Sequence, residues 1–146
     1  MKAFYSDNLY DFLNTDKEAI VGKLSSGYSE ARYYKLISSQ IEVWKDEIAI
    51  LKQAFNQLRN NVDISDWHIL LEYPIPRRGK RIDAVLLANP TIIILEFKIG
   101  ADQYMSSDKM QVEDYCLDLR DFHAESCNRT IVPILVASKA PTLEFK

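Results

Sequence analysis

The stretch that decides the fold reads Arg81-Ile82-Asp83-Ala84-Val85-Leu86-Leu87 and, after a short turn, Ile92-Ile93-Ile94-Leu95-Glu96-Phe97-Lys98. Two aliphatic runs on either side of Asn89-Pro90 predict a β-hairpin. Side chains alternate between the faces of a strand, so Glu96 and Lys98 lie on one face and Phe97 on the other. A turn that is symmetric about Asn89-Pro90 places Asp83 opposite Glu96.

The facing pair Asp83 and Glu96 is unusual within an apolar hairpin. Two like charges opposite each other across a ladder are destabilising unless something offsets them. A divalent cation is the natural offset, because carboxylate oxygens are the ligands that Mg²⁺ prefers. A chain that needed only a stable sheet would carry Val or Ile at these positions, so the pair indicates a functional site.

The composition describes one soluble globular domain. The chain has 146 residues, of which 47% are hydrophobic and 27% charged, and this length is enough to bury a core. The net charge of -3 supplies no overall attraction to nucleic acid, so such binding requires a local basic patch. Cys116 and Cys127 lack metal-site spacing and are typical of reduced thiols. Neither a signal pattern nor a membrane-spanning run is present, and we expect a cytoplasmic protein with no membrane partner.

The order of predicted elements is helix, three strands, helix, strand. The predicted ranges are a helix at 39–59, strands at 67–76, 81–87 and 92–98, a helix at 107–125 and a strand at 130–137. The buried stripe of the first helix is predicted to contain Ile41, Trp44, Ile48, Leu51, Phe55 and Leu58, and that of the second Met110, Tyr115, Leu119 and Phe122. This alternation predicts an α/β domain whose mixed sheet has helices on both faces.

Residues 1–38 are predicted to form a helical N-terminal extension, and residues 39–146 the main domain. Thr15 and Glu18 fit a capping box that opens a short helix through about Leu24, and Ser25-Ser26-Gly27 is predicted to end it. The last predicted strand is not followed by a closing element. We therefore expect the sequence to be a fragment of a longer protein.

Several motifs in this order carry a family resemblance. A helix with a glutamate, Asp83 on one strand, Glu96-Phe97-Lys98 on the next and a helix with Gln111 look like the PD-(D/E)xK, or restriction-endonuclease-like, nuclease superfamily. That family has an αβββαβ core, which residues 39–137 would form. Ile82 stands where the superfamily's name has a proline, a departure that many members share.

A longer set of motifs is more specific. It resembles the nuclease-like amino-terminal region of bacterial DUF2075-type helicase/ATPase proteins, and it consists of Glu72-Tyr73-Pro74-Ile75-Pro76, Gly79-Lys80-Arg81-Ile82-Asp83, Glu96-Phe97-Lys98 and Gln111-Val112-Glu113-Asp114-Tyr115. A phosphate-binding Gly-x-x-x-x-Gly-Lys-Ser/Thr loop does not occur in this sequence. Any ATPase part is therefore missing from this chain.

The resemblance implies a metal-dependent nuclease that hydrolyses phosphodiester bonds. Asp83 and Glu96 would hold one or two Mg²⁺ or Mn²⁺ ions, which activate water and stabilise charge on the scissile phosphate. Lys98, on the same face as Glu96, would orient the nucleophile or neutralise the developing oxyanion. Gln111 would position Lys98, a water molecule or the backbone.

A third metal-binding carboxylate is expected from the first helix. Glu47 is the prediction, and Glu42 is its competitor on the same helix. Glu72 lies beside the site by strand order and could take this role instead.

The expected partner is nucleic acid, and the resemblance favours DNA over RNA. Arg77, Arg78, Lys80 and Arg81 form a basic cluster that would contact the phosphate backbone, with Arg81 favoured because it shares a face with Asp83. The same charges would also suit a solvated turn that resists edge pairing. A C-terminal ATPase/helicase domain outside this chain and a homodimer are further expected partners.

Two other functions remain open from the sequence. A degenerate nuclease-fold domain would bind nucleic acid or a protein partner without cleaving. A structural module would use the acid pair and Lys98 as a buried ion cluster, and losing one member would then destabilise the fold.

Overall fold

One mixed sheet organises the chain. A computed structural model describes residues 3–30, 38–75, 80–88, 90–99, 105–122 and 130–137. Its elements are β1 (Tyr5–Asn8), α1 (Leu9–Asn14), α2 (Lys17–Glu30), α3 (Ser38–Leu58), β2 (His68–Ile75), β3 (Lys80–Ala88), β4 (Thr91–Lys98), α4 (Ser106–Phe122) and β5 (Ile131–Ala137). The five strands lie in chain order across the sheet. Neighbours are antiparallel except for β4 and β5, which are parallel.

Helices cover both faces of this sheet, as the sequence predicted. The first apolar core joins α1, α2 and α3 to one face and includes Trp44, Phe55 and Leu95. The second core joins α4 to the opposite face and includes Ile94 and Tyr115. The α/β class, the mixed sheet and the order from α3 to β5 are therefore confirmed, and the predicted stripe of α3 faces the first core.

The β3–β4 hairpin has the predicted register. Pairing runs from Ala88↔Thr91 to Ala84↔Leu95 and ends there among the described residues. The strand β4 nevertheless stays paired with β5 as far as Lys98. Residues 80–83 of β3 and 96–98 of β4 therefore border a gap in the ladder, which we call the fork.

The N-terminal segment departs from the prediction in three ways. The strand β1 was missed, and it extends the sheet by pairing with β2, for example at Tyr5↔Leu71. The helix α2 continues through Ser25-Ser26-Gly27 to Glu30, so the predicted helix end near Leu24 is wrong. Thr15 is the C-cap of α1, where its hydroxyl donates to the carbonyl oxygen of Asp11 at 2.6 Å, and it is not the N-cap of the predicted capping box because α2 begins at Lys17.

Gly27 is explained by close packing rather than by helix termination. A Cβ atom at this position would lie 2.7 Å from Cγ of Phe4, which is closer than real Cβ contacts allow. Glycine therefore lets Phe4 lie directly against α2. A four-residue strand and a packing glycine both escape periodicity analysis, because neither repeats along the chain.

The buried face of α4 also differs from the prediction. Met110 was expected to be buried, but 63% of its surface is exposed. Tyr115 is buried as predicted, and Val112 is buried with it in place of Met110, while the side chains of Leu119 and Phe122 lie outside the described residues. Within the described part of the chain, no helix combines the length and apolar character needed to cross a membrane.

Candidate active site at the fork between two strands

Asp83 and Glu96 meet at the fork through two reciprocal hydrogen bonds. The backbone N–H of Asp83 donates to Oε1 of Glu96 at 2.9 Å. The backbone N–H of Phe97 donates to Oδ2 of Asp83 at 2.8 Å. Where the β3–β4 pairing ends, the two carboxylates thus accept the hydrogen bonds of backbone N–H groups in place of backbone carbonyl oxygens. The structure brings together Asp83 and Glu96, which the sequence placed opposite each other.

A cleft of about 380 Å³ opens at the fork. Its walls come from α3, β2, β3, β4 and α4, and they contain Gln40, Val43, Glu47, Glu72, Arg81, Asp83, Glu96, Phe97, Lys98, Gln111 and Tyr115. Four of these side chains are carboxylic acids and two are cationic. The cleft therefore concentrates negative charge in a partly buried environment.

Glu47 is the least compensated of the acids. It projects from α3, only 7% of its surface is exposed, and its carboxylate has no hydrogen bond or ion pair with any described residue. Burial raises the pKa of Glu47 far above its usual range, and the charges of Asp83, Glu72 and Glu96 raise it further. A buried carboxyl group without a partner is costly when ionised, so this group is the one most in need of a cation.

The predicted competitor Glu42 lies elsewhere. Its side chain is 70% exposed and pairs with Lys45 on the surface of the same helix at 3.5 Å. It does not line the cleft. Of the two helix carboxylates proposed from the sequence, the structure brings only Glu47 to the fork.

The two strand acids are perturbed in the same direction. Burial raises the pKa of Asp83, with a further rise from Glu72, while the Phe97 N–H and Lys98 lower it. Burial also raises the pKa of Glu96, and the charge of Asp83 adds to that rise. Shifts of this kind, in a cleft and with named charge partners, are typical of functional sites.

Lys98 lies beside this acid group on β4. Its Nζ is 3.4 Å from Oε1 of Gln111 and 3.6 Å from Oδ1 of Asp108, both on α4. Nε2 of Gln111 donates in turn to the hydroxyl of Tyr115 at 2.9 Å. The predicted link between Gln111 and Lys98 is present, while the contributions of Asp108 and Tyr115 were missed by the sequence analysis.

Glu72 is buried in the opposite wall, and both of its carboxylate oxygens are engaged. Oε1 accepts from Nε1 of Trp44 at 3.0 Å, and Oε2 accepts from Nε of Arg81 at 2.8 Å. The guanidinium of Arg81 also lies over the rings of Phe4 and Tyr28, 5.2 and 5.4 Å from their centroids. Arg81 lines the cleft as predicted, but it is an ion-pair partner of Glu72, which the sequence did not indicate.

The rest of the predicted basic cluster is not placed. Arg77 and Arg78 lie outside the described residues, and Lys80 is described only by its backbone. Across the described ranges, no group of three or more His, Cys, Asp or Glu side chains is already arranged as a metal site. The acids of the fork are close to one another, but they are held by protein hydrogen bonds.

The fold and the site together define an α/β protein with a five-stranded mixed sheet and an acidic cleft where two strands separate. No protein-family model matches the chain, and no curated protein or solved structure gives a significant match. The functional argument therefore rests on the residues at the fork.

Proposed function

We propose that this chain is a metal-dependent nuclease domain with a restriction-endonuclease-like core, formed by α3, β2, β3, β4, α4 and β5. The observation that carries the proposal is the convergence at the fork. Two strand carboxylates, Asp83 and Glu96, meet the buried Glu47 on one side and Lys98 on the other. Acids and a lysine arranged in this way suit hydrolysis of a phosphodiester, whose reaction creates negative charge on phosphate oxygens.

The donor set suits a hard divalent cation. Asp83, Glu96 and Glu47 would hold Mg²⁺ or Mn²⁺, because carboxylate oxygens are the preferred ligands of these ions. The buried carboxylate of Glu47, which has no partner among the residues that the structure describes, supports this assignment. When bound, the metal would supply an activated water molecule and stabilise charge on the phosphate.

Lys98 supplies the positive charge of the site. Its contacts with Gln111 and Asp108 hold the amine on the α4 side of the cleft, and the bond from Gln111 to Tyr115 fixes the amide that faces it. An ammonium group held here would neutralise a phosphate oxygen next to the acids. Gln111 is thus a positioning residue for Lys98.

The proposed substrate is nucleic acid, with DNA favoured over RNA by the family resemblance. The overall charge of -3 gives no general attraction to phosphates, so local cations must provide contact. Arg77, Arg78 and Lys80 are proposed for that contact. By the same resemblance, the domain would serve within a larger helicase/ATPase protein, and a homodimer is a further proposal.

A second candidate function is a nuclease-fold domain that binds nucleic acid or a protein without cleaving. The reciprocal bonds of Asp83 and Glu96 favour it, because they satisfy the fork without any metal. In that case the acids act as a structural link between β3 and β4. Asp83→Asn would then lower stability in the presence of EDTA and leave metal affinity near zero in both proteins.

Cleavage of mixed single- and double-stranded DNA, in Mn²⁺, Mg²⁺ or EDTA, tests the proposal directly. Metal-dependent cleavage is expected for the natural chain and should be lost in Glu96→Ala and Lys98→Ala. Glu113→Gln and Lys109→Ala are matched controls, because both residues are exposed on α4 and should retain activity.

Calorimetry with Mn²⁺, combined with the cleavage assay, distinguishes the remaining outcomes. Cleavage that survives in Glu96→Ala would rule out this site. Absence of both cleavage and Mn²⁺ binding would favour the non-cleaving domain. Tight Mn²⁺ binding that disappears in Glu96→Ala, without cleavage, would support the site and indicate that another substrate or a partner domain is required.

A further inference from the structure

Glu72 has a backbone conformation that non-glycine residues rarely adopt. Its φ is 53°, and it is the only non-glycine residue with a positive φ in the described part of the chain. For an L-residue this conformation brings Cβ close to the backbone, and it persists only where the surroundings hold it in place. Because residues in such conformations are concentrated at functional sites, the contacts that impose this conformation on Glu72 point to a role at this position.

The strained residue lies directly beside Asp83 in the sheet. Glu72 and Asp83 fall between the ladder pairs Leu71↔Ala84 and Tyr73↔Ile82. Leu71 and Ala84 belong to the core under α1–α3, whereas Ile82 and Tyr73 belong to the core under α4. Both strands therefore change the face that their side chains cover at this one step, immediately before β3 leaves β4.

The N-terminal segment, which lies outside the predicted nuclease core, contacts β2 and β3 at the step where their side chains change face. The backbone N–H of Phe4 donates to the carbonyl oxygens of Leu71 and Glu72, at 3.1 and 3.3 Å. The ring of Phe4, together with that of Tyr28, lies against the guanidinium of Arg81. Phe4 thus contacts both the strained residue and the arginine that pairs with it.

We propose that Glu72 is a positioning residue for Asp83, held in its strained conformation by Trp44 and Arg81 and by the N-terminal segment through Phe4. The two bonds to the Glu72 carboxylate fix the turn of β2, and the turn directs β3 away from β4. Asp83 then reaches the N–H of Phe97 instead of continuing the ladder. Residues 4–28 are consequently part of the site rather than an accessory extension.

This role argues against Glu72 as the third metal ligand, the alternative that the sequence left open. Both of its oxygens accept hydrogen bonds from the protein, so its charge is committed to the wall of the cleft. The role concerns the geometry of the fork alone and does not depend on metal binding or hydrolysis. Failure of the nuclease proposal would leave it intact.

Amide hydrogen exchange in the full chain, in EDTA, tests the role without reference to activity. The Phe97 amide reports the position of Asp83, because it donates to the Asp83 carboxylate at 2.8 Å. The Ile92 amide on the same strand donates to Thr130 at 2.8 Å and serves as the reference for an intact sheet. Glu72→Ala should speed Phe97 exchange about tenfold or more, since the hydrogen bond from the Phe97 N–H to the Asp83 carboxyl group is lost, while Ile92 keeps its protection.

Glu72→Gly distinguishes backbone strain at this position from the simple loss of a side-chain contact, which Glu72→Ala and Glu72→Gly share. Glu72→Gly should speed Phe97 exchange less than Glu72→Ala, because glycine adopts a φ near 53° without strain. Phe4→Leu tests the N-terminal contact while keeping apolar volume and should also speed Phe97 exchange, whereas Tyr10→Leu, at an exposed position, should not.

Unchanged Phe97 exchange in Glu72→Ala, with Ile92 still protected, would overturn the proposal. If Glu72→Ala does not fold, Phe4→Leu decides the question: an unchanged Phe97 rate in that variant would refute the link from the N-terminal segment to Asp83.

Discussion

Glu47→Gln should remove a pH-dependent loss of stability that the natural protein shows without metal. Burial, with the charges of Asp83, Glu72 and Glu96, raises the pKa of Glu47 in the folded state. The unfolded chain has a Glu pKa of about 4.3. Above that pH the unfolded chain releases a proton that the folded protein keeps, so the free energy of unfolding falls as pH rises. The Gln side chain has the same shape but does not ionise, so Glu47→Gln should lack this contribution to the pH dependence.

The expected size follows from linkage. A carboxyl group that is protonated when folded and ionised when unfolded destabilises the protein by about 1.4 kcal/mol for each pH unit. Between pH 6 and pH 8 this amounts to about 2.7 kcal/mol. Glu47, Asp83 and Glu96 repel one another when ionised, so protonation of one makes ionisation of the others less costly. We therefore expect the pH slope of the free energy of unfolding contributed by Glu47 to be roughly 1 kcal/mol per pH unit.

Urea unfolding followed by circular dichroism, in EDTA at pH 6, 7 and 8, measures this slope. Glu42→Gln is the matched control, because Glu42 is exposed on the same helix and pairs with Lys45 at the surface. It should stay within about 0.5 kcal/mol of the natural protein at each pH. Mn²⁺ at about 100 times its Kd should add about 2.7 kcal/mol to the natural protein and less to Glu47→Gln. Equal slopes for the natural protein and Glu47→Gln would refute the reasoning.

Four further substitutions test the fold around the site, each by its change in the free energy of urea unfolding. Gly22→Ala should stabilise α2 by about 0.5–1 kcal/mol, since among the described residues no atom beyond its chain neighbours and the nearby helix backbone lies within 4 Å of the new Cβ. Gly27→Ala should lose that gain, because its Cβ meets Phe4 at 2.7 Å. Equal effects of the two would contradict the packing role of Gly27. Trp44→Phe should cost about 2–4 kcal/mol, because Oε1 of the buried Glu72 carboxylate loses its donor while Oε2 keeps Arg81, and a cost below 1 kcal/mol would be inconsistent with that bond. Leu117→Gln should change stability by less than about 0.5 kcal/mol, because Leu117 is 55% exposed.

Periodicity predicted the core elements because their patterns are long and regular. The α3 stripe from Trp44 to Phe55 repeats over several turns, and the symmetric hairpin fixed the β3–β4 register. Of the predicted buried residues of α4 whose side chains the structure describes, Tyr115 lies in the core and Met110 is exposed. The face of α4 is set by the cleft, where Gln111 and Tyr115 interact, and polar contacts of this kind leave no apolar period.

The acids of the site were predictable as a group, but their roles were not. Asp83, Glu96 and Lys98 were recognisable because charges inside an aliphatic hairpin need an explanation. Glu47 and Glu72 are both buried carboxylates beside the fork, and the sequence did not distinguish their roles, whereas their contacts in the structure do. Glu72 has two donors, whereas Glu47 has no partner among the described residues.

The departures from ordinary folding rules are concentrated at one place. The fork ends a strand ladder early, Glu72 adopts a strained φ, and Glu47 buries an acid with a raised pKa. Each of these features opposes stability, and each lies in the wall of the same cleft. Chains that only need to fold avoid such features, whereas functional sites collect them. A purely structural role would account for the satisfied pair Asp83 and Glu96, but it gives no reason to bury Glu47 beside them, and that carboxylate is what favours a cation-binding site.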